Sequence, residues 1–470
     1  MTPPARVRRR PEVGEPALWR FPEPARTRLP NGLDLLVVDR PGQHVLSLRV
    51  ALPAPISREE PGSEGSTLMM ARCLDEGTAA RPATELAELL ERHGIALGAG
   101  AGEHVVHLGL EVTARHLGTA LDLLVECLGE PTFPEAEVAR QVRHRLTDVA
   151  HELADPTGRA HHELRQAYYA AGERARVPFG GTTASVASLT PDVLRSRHGT
   201  LGPQGGVVVL AGDLSAVGDP VRLLSGTLGS WQPSSPPGSV GRPRRAERAA
   251  DADQVVLVPR PGAGQTELLL ARPGPDRRTP HGWGTYQTLS MLFGGAPHAR
   301  LDRVLREQRG WTYGMRLGFR PRQVGGQCVV GGAVRADATL PALEETLRIL
   351  DTPGEDLTGR EVREAADFVA MTAPARYLTA DSIADELVSL VGDGLGPETV
   401  TRTLQQVRDL TPSGAAQAWD EVRTGPGWTV VVVGDPEAIA PVAQAGLGTV
   451  RTAEPPQVSP RPSRPPGPAS

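Results

Sequence analysis

The feature that most limits the fold of this chain is a long-range repeat. The segment LTPDVLRSRHGTLGPQGGVVVLAGDLSAV, from Leu189, resembles LTPSGAAQAWDEVRTGPGWTVVVVGDPEAI, from Leu410. Each reads as a Leu-Thr-Pro helix cap, an amphipathic helix, a Gly/Pro turn, an apolar valine strand and a Gly-Asp stop. Earlier in each half, PGQHVLSLRVALP from Pro41 sits beside PGAGQTELLLARP from Pro261. The matches share one offset of about 220 residues, a register that chance alternation would not keep. The chain therefore reads as two copies of one domain, at residues 25–232 and 253–452. Residues 233–252 are polar, Pro-rich and basic, a linker that lets the halves face each other. The basic arm at 1–24 and the Pro/Ser-rich tail at 453–470 read as disordered.

Within each copy the expected order is an early hairpin, then helices, more strands, and a last helix and strand. In the first copy LDLLVVD and LSLRVALP flank a Pro41-Gly42 turn, and HVVHLGLEVT reads as a further strand. Helical spacing places helices near residues 66–74, 84–93 and 117–128. Strand pairs mixed with long helices give an α+β fold, with helices packed on one face of a mainly antiparallel sheet.

Composition narrows the function. The net charge of −5 on 470 residues supplies no global field for nucleic acid or an anionic membrane. All 50 basic residues are arginine. Cys73, Cys127 and Cys328 are odd in number and far apart, so neither a disulfide framework nor a metal knuckle is indicated. The N-terminus lacks the apolar core of a secretory signal, and no window reaches membrane-spanning length, so a cytoplasmic location is expected. No GxSxG or SxxK context marks a serine nucleophile, and the glycine pairs lack a phosphate-loop lysine. His104 and His107 point to opposite faces of a strand. His161, His162 and Glu163 are contiguous and diverge, and His151-Glu152 lacks a second histidine.

Residues 294–314, GGAPHARLDRVLREQRGWTYG, hold the most chemistry. A short helix carries Leu301, Val304 and Leu305 on one face, and at about 100° per residue Arg306 falls on the opposite face. Gly310 is a helix stop. A period-two run then places Tyr313, Met315, Leu317 and Phe319 on one side. On the local pattern alone this is either an exposed arginine with a core tyrosine, or a guanidinium and a phenol presented together.

Several segments together resemble the M16 (insulinase/pitrilysin) metallopeptidases, in their processing-peptidase-like branch. They are LPNGLDLLVVDRPG, EGSTLMMARCLDEGTAARPATELAELLERHGIALGAGAGEHVVHLGLEV, ELADPTGRAHHELRQAYYAAG, VPFGGTTASVASLTPDVL and the stretch at 294–314. The resemblance implies two α/β-layer domains. It also implies an inverted zinc motif, HxxEH, just before Gly77-Thr78, with two histidines binding zinc and a glutamate activating water. Here that motif falls on Leu68, Ala71 and Arg72, in place of histidine, glutamate and histidine. The downstream carboxylate ligand falls near Asp148 or Val149. An arginine at a ligand position repels a dication, so no metal is expected on this chain.

In zinc-free subunits of two-subunit members, the family pattern RExxGxxY contributes an arginine and a tyrosine to a partner's site. Arg306, Glu307, Gly310 and Tyr313 match it position for position. The resemblance thus implies a heterodimer with a zinc-bearing, HxxEH-containing subunit, the zinc lying on the partner. The substrate would be a peptide or unfolded protein, with no nucleic acid and no membrane involved. The alternative is a binding or structural protein of the same fold with no part in proteolysis.

Overall fold

The computed structural model describes residue 14 and residues 19–233 and 241–454. Two six-stranded sheets organise them. The first contains β1 (Ala25–Arg28), β2 (Asp34–Asp39), β3 (Val45–Pro53), β4 (Ala96–Ala101), β5 (Val105–Thr113) and β6 (Val207–Gly212), in the order β1-β2-β6-β3-β5-β4. The second contains β7 (Gln254–Pro259), β8 (Gln265–Gly274), β9 (Arg316–Pro321), β10 (Gly326–Arg335), β11 (Thr429–Gly434) and β12 (Thr449–Thr452), in the order β12-β7-β11-β8-β10-β9. Apart from the outer strands β1 and β12, the two orders correspond strand for strand.

One expectation fails identically in both halves. β2 and β3 are not a hairpin, because β6 inserts between them, parallel to β2 and antiparallel to β3. β11 separates β7 from β8 in the same way. The inserted strands, VVVLAG and TVVVVG, are buried at every residue. A strand apolar on both faces is stable only in mid-sheet with both faces covered. The repeated motifs nevertheless meet: Asp213 accepts the Gly42 N–H at 2.8 Å, and Asp435 accepts the Gly262 N–H at 2.7 Å. Thr190 and Thr411 cap their helices, each with proline at the first turn.

Helices cover both faces of each sheet, not one. One face packs on helices of its own half. The other face receives a helix from the opposite half. Helix Ala380–Gly392 lays Ile383, Ala384 and Leu387 on Val38, Val207 and Val209 of the first sheet. Helix Pro156–Tyr168 lays Ala160, Leu164 and Ala167 on Val256, Val431 and Val433 of the second. The halves are thus interlocked through apolar burial, which accounts for the inserted valine strands.

The described part of the N-terminal arm is ordered: Trp19 stacks on Tyr377 with centroids 5.7 Å apart, and Phe21 is buried. The arm's residues 1–13 and 15–18, linker residues 234–240 and tail residues 455–470 lie outside the described residues. The end of the linker docks on helix Pro156–Tyr168, where Ala249 N–H meets the Tyr168 carbonyl at 2.9 Å.

Candidate functional site

The expected metal position lies on the short helix Ser66–Arg72. Its start is fixed by buried charge. Glu59 accepts the Thr67 N–H at 2.9 Å and pairs with Arg174 at 2.7 Å, while buried Arg197 donates to the Thr67 hydroxyl at 2.9 Å. Ala71 is fully buried and Leu68 half-buried. Arg72 Nη1 lies 3.2 Å from Asp148 Oδ2. The residue at the second-histidine position is therefore bound to one at the downstream-ligand position. Leu68 and Ala71 offer zinc no donor atom, and Arg72 offers a positive charge, so the residues present do not suit the ion. Among the described residues no group of three or more His, Cys, Asp or Glu stands where it could hold a metal.

A cleft of about 1170 Å³ opens at this position, lined by Leu68, Arg72, Arg145, Val149, Glu152 and, from the second half, Arg320. Arg145, Asp148, Val149 and Glu152 share one face of helix Glu135–Ala154, at spacings of three and four. The Arg145 guanidinium is buried and grips Glu152 with both forks, at 2.6 and 3.2 Å, while Nε donates to the Gly180 carbonyl at 3.0 Å. A Cβ at Gly180 would lie 2.7 Å from Arg145 Nη2, so a larger residue there would displace this guanidinium from its place.

Arg306 lies on a π-helical run, Asp302–Gln308, where the sequence suggested an ordinary helix. Leu301 and Leu305 are buried and Arg306 is exposed, as the spacing indicated. Gly310 ends the run at φ 64°, the left-handed region. β9 begins only at Arg316, so Tyr313 precedes the strand and is 87% exposed, against the core alternative. Met315 and Leu317 do enter the core.

The loop that carries Tyr313 is pinned on both sides. The Thr312 hydroxyl donates to the Ala333 carbonyl at 2.6 Å, and the Arg335 N–H reaches the Trp311 carbonyl at 2.8 Å. Asp302, 1% exposed, accepts the Met315 N–H at 2.9 Å and pairs with Arg316 at 2.6 Å. It ties the tyrosine loop to the helix that bears Arg306. Sequence reasoning missed Asp302, although an acidic residue three positions before Leu305, on the apolar face, was a readable signal. Among the described residues neither the Arg306 nor the Tyr313 side chain has a hydrogen-bond or ion-pair partner. Neither lines the cleft at Leu68 and Arg72.

Two family models match the chain: Insulinase (Peptidase family M16) over residues 37–176 and Peptidase M16 inactive domain over residues 188–367. The chain belongs to the M16 peptidase family. Relatives include an uncharacterized zinc protease of Rickettsia bellii, 22% identical over 292 residues, covering 61% of this chain and 68% of that one. Another, the uncharacterized zinc protease YmxG of Bacillus subtilis, is 21% identical and covers 72% of this chain and 80% of its own. The fold matches an M16 inactive domain from Pseudomonas fluorescens with TM-score 0.79 at 22% identity, over 88% of this chain and 98% of that one. It also matches a protease from Helicobacter pylori with TM-score 0.77 at 16% identity, over 88% of this chain and all of that one. A chain of Complex III2 from Candida albicans matches with TM-score 0.72 at 11% identity, covering 89% and 97%. These likenesses show the M16 fold.

Proposed function

We propose that this chain is the zinc-free subunit of a heterodimeric M16 peptidase, lending Arg306, Tyr313 and half of a peptide chamber to a zinc-bearing partner with HxxEH. One contrast carries the reading. At the position expected for metal Arg72 is paired with Asp148, whereas the Arg306 and Tyr313 side chains are exposed and, among the described residues, without a hydrogen-bond or ion-pair partner, one on the helix and the other on the loop that Asp302 ties together. The chemistry suits peptide hydrolysis. The Tyr313 O–H donates to the scissile carbonyl as it gains negative charge, and Arg306 holds a substrate carbonyl or carboxylate. Among the described residues β4 and β9 each end their sheet with no further strand paired, so an extended peptide can add there through its backbone.

Mixing the chain with its zinc-bearing partner tests this. The expected result is peptide hydrolysis that neither shows alone. Full activity of the partner alone, or a stable complex whose rate ignores this chain, would leave a structural role instead.

A further inference from the structure

The cleft beside Leu68 and Arg72 holds positive charge that its own ion pairs leave unused. Four arginines line it against a single glutamate. Arg145 is answered by Glu152, and Arg72 by Asp148. Arg165, on helix Pro156–Tyr168, makes one long hydrogen bond, 3.5 Å, to the Ala175 carbonyl. Arg320, on edge strand β9 of the other half, has no acidic partner among the described residues. Burial, and then the charge of Arg165, hold the Arg320 guanidinium below its ordinary range. Burial, followed by Arg320 and Arg165, pushes neighbouring His161 down to about 4. That imidazole is neutral near neutral pH and adds an N–H without adding charge. Two like charges brought together across the seam between halves, with no acidic partner among the described residues, make a site whose energy falls when an anion enters.

We propose that this cleft binds the carboxylate of an acidic peptide between Arg165 and Arg320. A guanidinium fork matches a carboxylate in two hydrogen bonds, the arrangement Arg145 already makes with Glu152. The volume of about 1170 Å³ far exceeds what an ion needs and admits a side chain with its flanking backbone. The cleft that lacks zinc ligands thereby becomes a selector for substrate charge. This rests on the reading above only in that peptides enter the chamber.

The test is binding of fluorescent peptides to the full-length chain alone, read by anisotropy. One peptide carries Glu and Asp side chains with an amidated C-terminus, and a second has Gln and Asn in their place. A third is the neutral sequence with a free C-terminal carboxylate. The acidic peptide or the free-carboxylate peptide should bind at least about tenfold tighter than the neutral amide. Which of them does so assigns the carboxylate to a side chain or to a chain end. Arg320→Gln, which breaks no ion pair among the described residues, should remove most of that preference with unchanged melting, and Arg320→Lys should keep part of it. Arg165→Gln should act in the same direction. Equal binding of all three peptides overturns the proposal. So does a preference that survives in the Arg165→Gln/Arg320→Gln double variant. If charge preference is absent while a partner's turnover still depends on Tyr313, the cleft proposal fails and the subunit reading stands. If preference is present while turnover ignores this chain, the reverse holds.

Discussion

Around Arg72 in the first half the polar groups satisfy each other, while in the second half the Arg306 and Tyr313 side chains have no partner among the described residues. Arg72 and Asp148 meet at 3.2 Å, Arg145 is locked to Glu152, and Ala71 is buried. Around Tyr313 the bonding runs through the supports, among them Asp302 and Thr312, and among the described residues none of it goes to the side chains of Arg306 or Tyr313. The backbone that carries Arg306 and Tyr313 is thus held in place while both side chains stay exposed. The two copies of one domain thus differ: around Arg72 the polar groups of the first pair with one another, while those of Arg306 and Tyr313 in the second face outward.

The largest expected effect lies in the open half. In the proposed heterodimer, Tyr313→Phe should lower kcat by about 10²–10³, the typical loss for one oxyanion donor. Arg306→Ala should act mainly on KM, and neither should change the melting temperature of this chain, since both side chains are exposed and make no hydrogen bond or ion pair among the described residues. Steady-state kinetics separates these outcomes. A Tyr313→Phe subunit of normal rate would erase the distinction between the halves.

Next comes the support. Asp302→Ala leaves a buried Met315 N–H and Arg316 without their carboxylate and should cost about 2–4 kcal/mol in denaturant unfolding. It should also lower turnover in the complex, although Asp302 is buried away from substrate. Asp302→Asn should recover part of both losses, because its amide oxygen can still accept the N–H.

A smaller effect tests the interlock itself. Burial, then Asp155 of the opposite half, pushes Glu267 on β8 up to about 7 from 4.5. The fold thus favours its protonated form. The resulting stability is complete below about pH 4.5 and is lost as pH rises through 7. Glu267→Gln, which mimics the neutral acid, should be about 1–3 kcal/mol more stable than wild type near pH 8, with the difference vanishing near pH 4. Thermal melts across that range decide; parallel curves would contradict the buried-acid account.

The smallest effect is at the closed position. The Arg72–Asp148 pair is partly exposed, so Arg72→Ala should cost no more than about 1 kcal/mol. It should leave turnover in the complex within about twofold of wild type. A large rate loss there would give the first half a part in the chemistry.

Much of this was readable in the chain. Local chemistry transmits well: the Leu-Thr-Pro caps, the Pro-Gly turns that dock on Gly-Asp stops, and the exposure of Arg306 all follow from neighbours a few residues away. What was not readable is non-local. Nothing in LDLLVVD and LSLRVALP says that a strand about 160 residues later will separate them. That both faces of each sheet are covered, and by a helix from the other half, was hinted only by the unbroken valine runs. Tyr313 was misplaced because alternation is a property of strands, and the strand starts three residues after it. Arg165 and Arg320 come together only because two halves meet, which no local pattern records.

The most direct test is the turnover of the zinc-bearing partner under three conditions: alone, with the wild-type chain, and with an Arg306→Ala/Tyr313→Phe chain shown to bind equally well. The account predicts hydrolysis with the wild-type chain and near-background rates in the other two. Equal rates with the wild-type and doubly substituted chains would contradict it.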